Sequence, residues 1–202
     1  MIFPAHFVVA YLAADHAFVN NHRIGRLPAG KFFGHLVWST LVILAFTFDV
    51  LLKDVAGFMI FISFLLIHIF LDILRRYGVT HHILEILALG TAFIYTMLFK
   101  TRFEGSYITP EFSTYLLGML IVTAGLTFLF REMMEEGYKD SVGVSERLAI
   151  YIFAFAGMHF WVFISAIAGL AYRVGFEKKK DISWILSPLL GILLSYLWRM
   201  LF

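Results

Sequence analysis

The chain has 202 residues, of which 61 % are hydrophobic, 18 % aromatic and only 15 % charged, where an ordinary globular domain carries roughly 25 % charge. With 23 Phe and a mean hydropathy of +0.86, it has more apolar surface than a soluble domain of this size can hide, which excludes a soluble single domain and a disordered chain. A formal charge of +2 argues against a nucleic-acid binder, and the absence of Cys excludes disulfides, thiolate metal sites and Cys nucleophiles.

The expected fold is all-α, a polytopic integral membrane protein with about seven transmembrane helices. About 20 apolar residues span the roughly 30 Å hydrocarbon layer. The segments 2–20, 32–52, 56–76, 82–99, 111–131, 145–173 and 182–202 meet that length. They form a single transmembrane domain, 1–202, with a four-helix part over 1–99 and a three-helix part over 100–202. Their runs are continuous rather than alternating, so they read as helices and not as barrel strands.

The punctuation fits these limits. Asn20, Asn21, Gly25, Pro28 and Gly30 break the chain after the first span; Asp54 and Gly57 mark a tight turn; Tyr77 and Gly78 end the third span. Thr109-Pro110-Glu111 reads as an N-cap, an N1 proline and a first-turn acid. Ser145-Glu146 opens the sixth helix, and Pro188 kinks or breaks the seventh. The first span lacks a basic leader segment and reads as a retained helix. Basic residues divide nine against seven between the two sides, and the early loops favour the first loop's side as cytoplasmic.

Ionisable residues inside membrane spans are costly and mark functional sites. Seven of the eight His fall within the first 82 residues. Asp15 and His16 lie ~7 Å from the end of the first span. His35 opens the second, His68 and Asp72 close the third, and His81, His82 and Glu85 open the fourth. Antiparallel threading brings all of them to one face at similar depth. His68 and Asp72, at i,i+4, share a stripe. Asp15, His35, His68 and Asp72 make a two-His, two-carboxylate set suited to a divalent ion, Zn²⁺, Mn²⁺ or Fe²⁺.

Blander readings apply elsewhere. Clamping hydrogen bonds between helices would use the same four residues. His6, His22, His81 and His82 read as interfacial. Asp49 and Lys53 read as a local ion pair, and His159, beside Trp161, as a packed core histidine. Arg23, Arg26, Lys31, Arg75 and Arg76 rim the site face, as topogenic charge or as attraction for an anionic headgroup. Glu132–Glu136 with Asp140, and Lys178–Lys180, read as solvated charge. The Phe-rich stripes read as lipid-facing or packing surface.

The order Asp15 … Lys31 … His35 … His68-x-x-x-Asp72-x-x-Arg75 resembles an uncharacterised family of small bacterial membrane proteins. Those carry H-x-x-x-D in the first helix, a Lys and H-x-x-x-H around the second, and H-x-x-x-D-x-x-K in the third. The likeness covers about residues 8–76 and extends loosely to membrane proteins labelled metal-dependent hydrolases. Tyr11 stands at the first His position, Ser39 at the second His of helix 2, and Arg75 at the Lys. The resemblance implies a bacterial or archaeal cell membrane.

The leading expectation is a membrane-embedded metal-dependent hydrolase acting on a lipid-linked or amphipathic substrate. Asp15, His35, His68 and Asp72 would hold the ion, His16 or Asp15 would act as general base, and Arg75 with Lys31 would neutralise a phosphate. A metal-ion or proton transporter or channel, and a non-catalytic assembly factor, use the same residues differently. Oligomer formation is left open. No G-x-S-x-G, H-E-x-x-H or G-x-G-x-x-G motif is present, which argues against serine-hydrolase and nucleotide chemistry.

Overall fold

The structure, a computed structural model, describes residues 3–17, 21–133, 140–177 and 182–202, with side chains omitted for 21–23 and 177. Asn20, Glu135, Glu136 and Lys178–Lys180 lie outside the described residues, as do the side chains of Asn21, His22 and Arg23. Among the described residues every regular element is helical. In chain order they are α1 (His6–Leu12), α2 (Ala29–Leu51), α3 (Val55–Arg76), α4 (His81–Phe99), α5 (Pro110–Leu120), α6 (Leu126–Met133), α7 (Ser141–Phe155), α8 (His159–Tyr172) and α9 (Ser183–Arg199).

Five helical stretches among the described residues are long and apolar enough to cross a membrane: Ala29–Leu51, Val55–Arg76, His81–Gly105, Pro110–Met133 and His159–Phe176. The difference from the expected seven has physical causes. The segment 145–173 is two helices, because Gly157 adopts φ 74° and terminates α7. Gly157 N–H donates to Ala154 O and Met158 N–H to Phe153 O, at 3.2 and 2.9 Å, the paired bonds that close a helix on a left-handed residue. Hydropathy runs straight through this break. The last segment yields only the 17 residues of α9. The described part of the first is α1 and one π-turn, Ala13–Ala17.

The chain divides into two compact units, Met1–Leu117 and Gly118–Phe202, with the boundary inside the Pro110–Met133 stretch. In the first unit, α1 packs against α2 and α4, and α3 packs against both of those helices. Residues His6–Tyr11 are all buried, as expected of a helix that is apolar all round. Phe7 anchors an aromatic layer, 4.7 Å from Phe64, 5.5 Å from Tyr95 and 5.4 Å from Phe103 between ring centres. Asp54 caps α3 by accepting from Gly57 N–H at 2.6 Å. His6, expected at the interface, is fully buried; its Nε2 lies 2.8 Å from Ile108 O and its ring stacks on Phe103. Asp49, expected to pair with Lys53, instead accepts from Ser106 Oγ and Tyr107 N–H.

In the second unit α7 packs against both α8 and α9. Arg147 on α7 is fully buried. It donates from Nε to Val122 O (2.9 Å), from Nη1 to Ser187 Oγ (2.7 Å) and from Nη2 to Asp140 Oδ2 (2.6 Å). Asp140, expected in a solvated acidic loop, is therefore a buried partner. The π-turn Ile121–Gly125 explains the carbonyls: a wider turn loosens the helical ladder, and Val122 O and Thr123 O turn to Arg147. Arg173 pairs with Glu146 at 2.6 Å. Its Nη1 donates to Trp184 O at 3.1 Å, the carbonyl that Pro188, four residues on, has no N–H to satisfy. α9 runs unbroken through Pro188 as a result. This cluster is charge-balanced, two guanidinium groups against two carboxylates. His159, expected in the core, is exposed and paired with Tyr196.

Candidate metal centre

Four elements of the first unit deliver the candidate ligands. The π-turn Ala13–Ala17 carries Asp15, a place where π-turns recur because they re-aim one side chain out of the helical register. His35 comes from the second turn of α2, His68 and Asp72 from one stripe of α3. The turn at Gly25 lies directly on the end of that stripe, where a Cβ would meet Arg75 O at 2.5 Å. Only glycine permits that approach.

The four expected ligands come together. One ligand atom from each of Asp15, His35, His68 and Asp72 lies within 4.8 Å of every other, and all four residues are buried. The His–carboxylate separations are 3.2 Å for His35 Nε2–Asp72 Oδ2, 3.5 Å for His68 Nε2 to both Asp15 Oδ1 and Asp72 Oδ2, and 3.7 Å for His35 Nε2–Asp15 Oδ1. Bonds of roughly 2.1 Å to a tetrahedral ion place ligand atoms about 3.4 Å apart. The His35–Asp72 contact also lies within hydrogen-bond range, about 2.7–3.2 Å, and the other three separations lie beyond it. His68 Nε2 and Asp15 Oδ1 are buried and make no hydrogen bond at all. Ser39, at the position where the resembled family has a second His, lies with its Oγ 3.5 Å from His35 Nε2.

The outer oxygens are held by Arg75. Its Nη1 donates to Asp15 Oδ2 at 2.7 Å and to Asp72 Oδ1, and its Nη2 donates to Glu85 Oε1 at 2.7 Å. Arg75 was expected to meet a phosphate; it is buried and engaged with three carboxylates. It orients the ligands, as outer-shell partners of metal sites do. Glu85, absent from the expected site, is central to it. It accepts from Tyr11 OH at 2.7 Å and lies 3.0 Å from His16 Nε2. Its register on α4, facing α1 rather than His81 (3.9 Å away), is not visible in the spacing.

Among the described residues, Asp15, Asp72 and Glu85 bring three carboxylates around Arg75, with His16, His35 and His68 beside them. Gathering carboxylates in a buried site is costly unless cations offset them. A divalent ion would do so, and His68 Nε2 and Asp15 Oδ1, which make no hydrogen bond, are placed to ligate it. The residues present therefore fit the ion that the sequence implies. Of the expected rim, Arg26, Lys31 and Arg76 are exposed, the last 5.1 Å from the Phe32 ring. Comparisons with protein-family models, with curated proteins and with solved structures find no match for this chain.

Proposed function

We propose that the chain is an integral membrane protein and that its first unit is a metal-dependent hydrolase for a lipid-linked or amphipathic substrate. The observation that carries this reading is the buried set Asp15, His35, His68 and Asp72, whose ligand atoms lie within 4.8 Å of one another and of which His68 Nε2 and Asp15 Oδ1 make no hydrogen bond. The resemblance of residues 8–76 to an uncharacterised family of small bacterial membrane proteins supports the location of the site. A bound divalent ion supplies Lewis acidity and brings water's proton within reach of a base near neutral pH. Asp15, His35, His68 and Asp72 hold the ion. Arg75 and Glu85 fix the geometry. His16, with its side chain 9 % exposed and its Nε2 beside Glu85, takes up and returns the proton. Lys31 and Arg76, exposed on the same face, attract an anionic headgroup.

An ion path across the membrane is less well supported. Beyond the cluster, the Phe7–Phe64–Tyr95–Phe103 layer fills the first unit. The hydroxyls of Thr47 and Thr96 are spent on their own helices. Elemental analysis of the purified protein tests the proposal, together with headgroup release from vesicles of total membrane lipid. Wild-type protein should carry about one ion per chain, and His68→Ala should lose both ion and turnover while keeping its helical content. Protein without an ion, or full turnover in His68→Ala, refutes it.

A further inference from the structure

Hydroxyls inside a helix ordinarily turn to water or to the carbonyl four residues back. Thr40 and Thr47 on α2 donate to Leu36 O and Ile43 O at 2.8 and 2.7 Å, and Thr96 on α4 donates to Ala92 O. Ser39 on α2 is fully buried and does otherwise: its Oγ faces His35 Nε2 at 3.5 Å, its one polar contact among the described residues. We propose that Ser39 Oγ is a further donor to the divalent ion, beside Asp15, His35, His68 and Asp72. This deepens the function proposed above, rests on its metal centre, and names a residue that sets which ions the centre prefers.

Three observations carry the assignment. First, the contact with His35 does not satisfy the hydroxyl. At 3.5 Å it exceeds the usual hydrogen-bond range, and His35 Nε2 is turned to Asp72 Oδ2 at 3.2 Å. Whether that nitrogen donates to the carboxylate or lends its lone pair to an ion, it has nothing left with which to accept from Ser39. Second, a buried hydroxyl without a partner is costly, and coordination gives the Ser39 oxygen one. Third, the spacing is that of ligands around a shared ion. The His–carboxylate separations run from 3.2 to 3.7 Å, and Ser39 Oγ stands 3.5 Å from the His35 nitrogen of that set. His35 and Ser39 lie four residues apart on α2, so one stripe of the helix presents both. The consequence is one of selectivity. Two imidazole nitrogens and two carboxylate oxygens alone suit tetrahedral Zn²⁺. An added neutral oxygen raises the coordination number and shifts preference towards oxygen-loving ions such as Mn²⁺.

The test uses Co²⁺ added to the purified full chain in detergent, read by absorption. The chain has no Cys, so Ser39→Cys puts the molecule's one thiol at the proposed donor position. A thiolate bound to Co²⁺ gives a near-ultraviolet charge-transfer band that nitrogen and oxygen ligands do not give. Ser39→Cys should show that band, saturating at about one Co²⁺ per chain, and its preference for Zn²⁺ over Mn²⁺ should rise several-fold in competition with a chromophoric chelator. Thr47→Cys, at a buried position on the same helix whose hydroxyl is turned to its own backbone, should show no band. Ser39→Thr and Ser39→Val form an equal-shaped pair that differs in the hydroxyl. The Thr variant should keep the weak visible bands of the wild-type Co²⁺ complex, and the Val variant should show the stronger bands of a four-coordinate ion. Ion-loaded Ser39→Cys without the charge-transfer band, or Thr and Val variants with the same visible spectrum, overturns the Ser39 donor and leaves the four-ligand centre standing. Wild type that takes up no Co²⁺ removes the metal centre and this donor with it. No step needs turnover, so absence of hydrolysis in protein that passes these tests removes the hydrolase alone.

Discussion

Arg75→Met is the most discriminating single change. Its guanidinium is bonded to Asp15, Asp72 and Glu85, whose side chains are 0, 0 and 13 % exposed. Methionine keeps most of the volume and removes the charge. Breaking one buried ion pair costs about 3–5 kcal/mol, because a charge is left uncompensated. Three partners place this variant at the upper end of that range, and proton uptake by the carboxylates sets the ceiling, at about 1.4 kcal/mol per pKa unit. A bound ion stabilises the folded protein by about 2.7 kcal/mol at a free concentration one hundred times its dissociation constant, and wild type, with its ligands oriented by Arg75, gains at least as much as the variant. The assay is denaturant unfolding of the detergent-solubilised protein followed by far-ultraviolet circular dichroism, in chelator and in excess Zn²⁺. In chelator the variant should lose several kcal/mol relative to wild type, and with Zn²⁺ the gap should hold or widen. A variant within about 1 kcal/mol of wild type in chelator, or a gap that Zn²⁺ closes, refutes the role given to Arg75 in holding the three carboxylates.

The remaining predictions address separate parts of the argument. Arg147→Met in the second unit should cost about 3–5 kcal/mol by the same reasoning. Its cluster lies outside the candidate metal centre, so the loss should be the same in chelator and in Zn²⁺; a loss that depends on Zn²⁺ would count against this. Gly25→Ala brings a Cβ to 2.5 Å from Arg75 O, so the end of α3 must shift and metal affinity should fall about tenfold or more, as when outer-shell partners are lost; competition titration with a chromophoric chelator reads this, and unchanged affinity counts against it. Asp54 is held below its ordinary pKa of 3.8, first by the Gly57 N–H and then by Arg102. A depressed carboxylate stabilises the fold above its unfolded pKa and loses that contribution as pH falls through the lower folded value. The thermal-melting difference between wild type and Asp54→Ala should therefore be constant from pH 7 to about pH 5 and shrink below about pH 4; a difference that persists to pH 3 removes the capping account.

The sequence by itself determined the helical class and the clustering of Asp15, His35, His68 and Asp72. Long continuous apolar runs allow no other backbone solution in hydrocarbon. The pairing of His68 with Asp72 follows from helical periodicity, and the convergence of Asp15 and His35 on them follows from the alternation of helix direction. Tertiary structure alone decided the rest. Gly157 ends α7 inside a run whose hydropathy never changes, because a left-handed residue stops a helix without altering its polarity. Whether a charged residue is solvated or buried depends on its partners: Asp140 reads as solvated loop charge, yet it lies buried against Arg147 and Thr127. Arg75 and Glu85 likewise gained their roles through a contact between α3 and α4, ten residues apart in sequence but closed around Asp15 and Tyr11 from a different helix. Spacing along one helix is fixed by its pitch; rotation of one helix against the next is fixed by packing, and packing is what turned Arg75 onto the carboxylates and joined Glu85 to it.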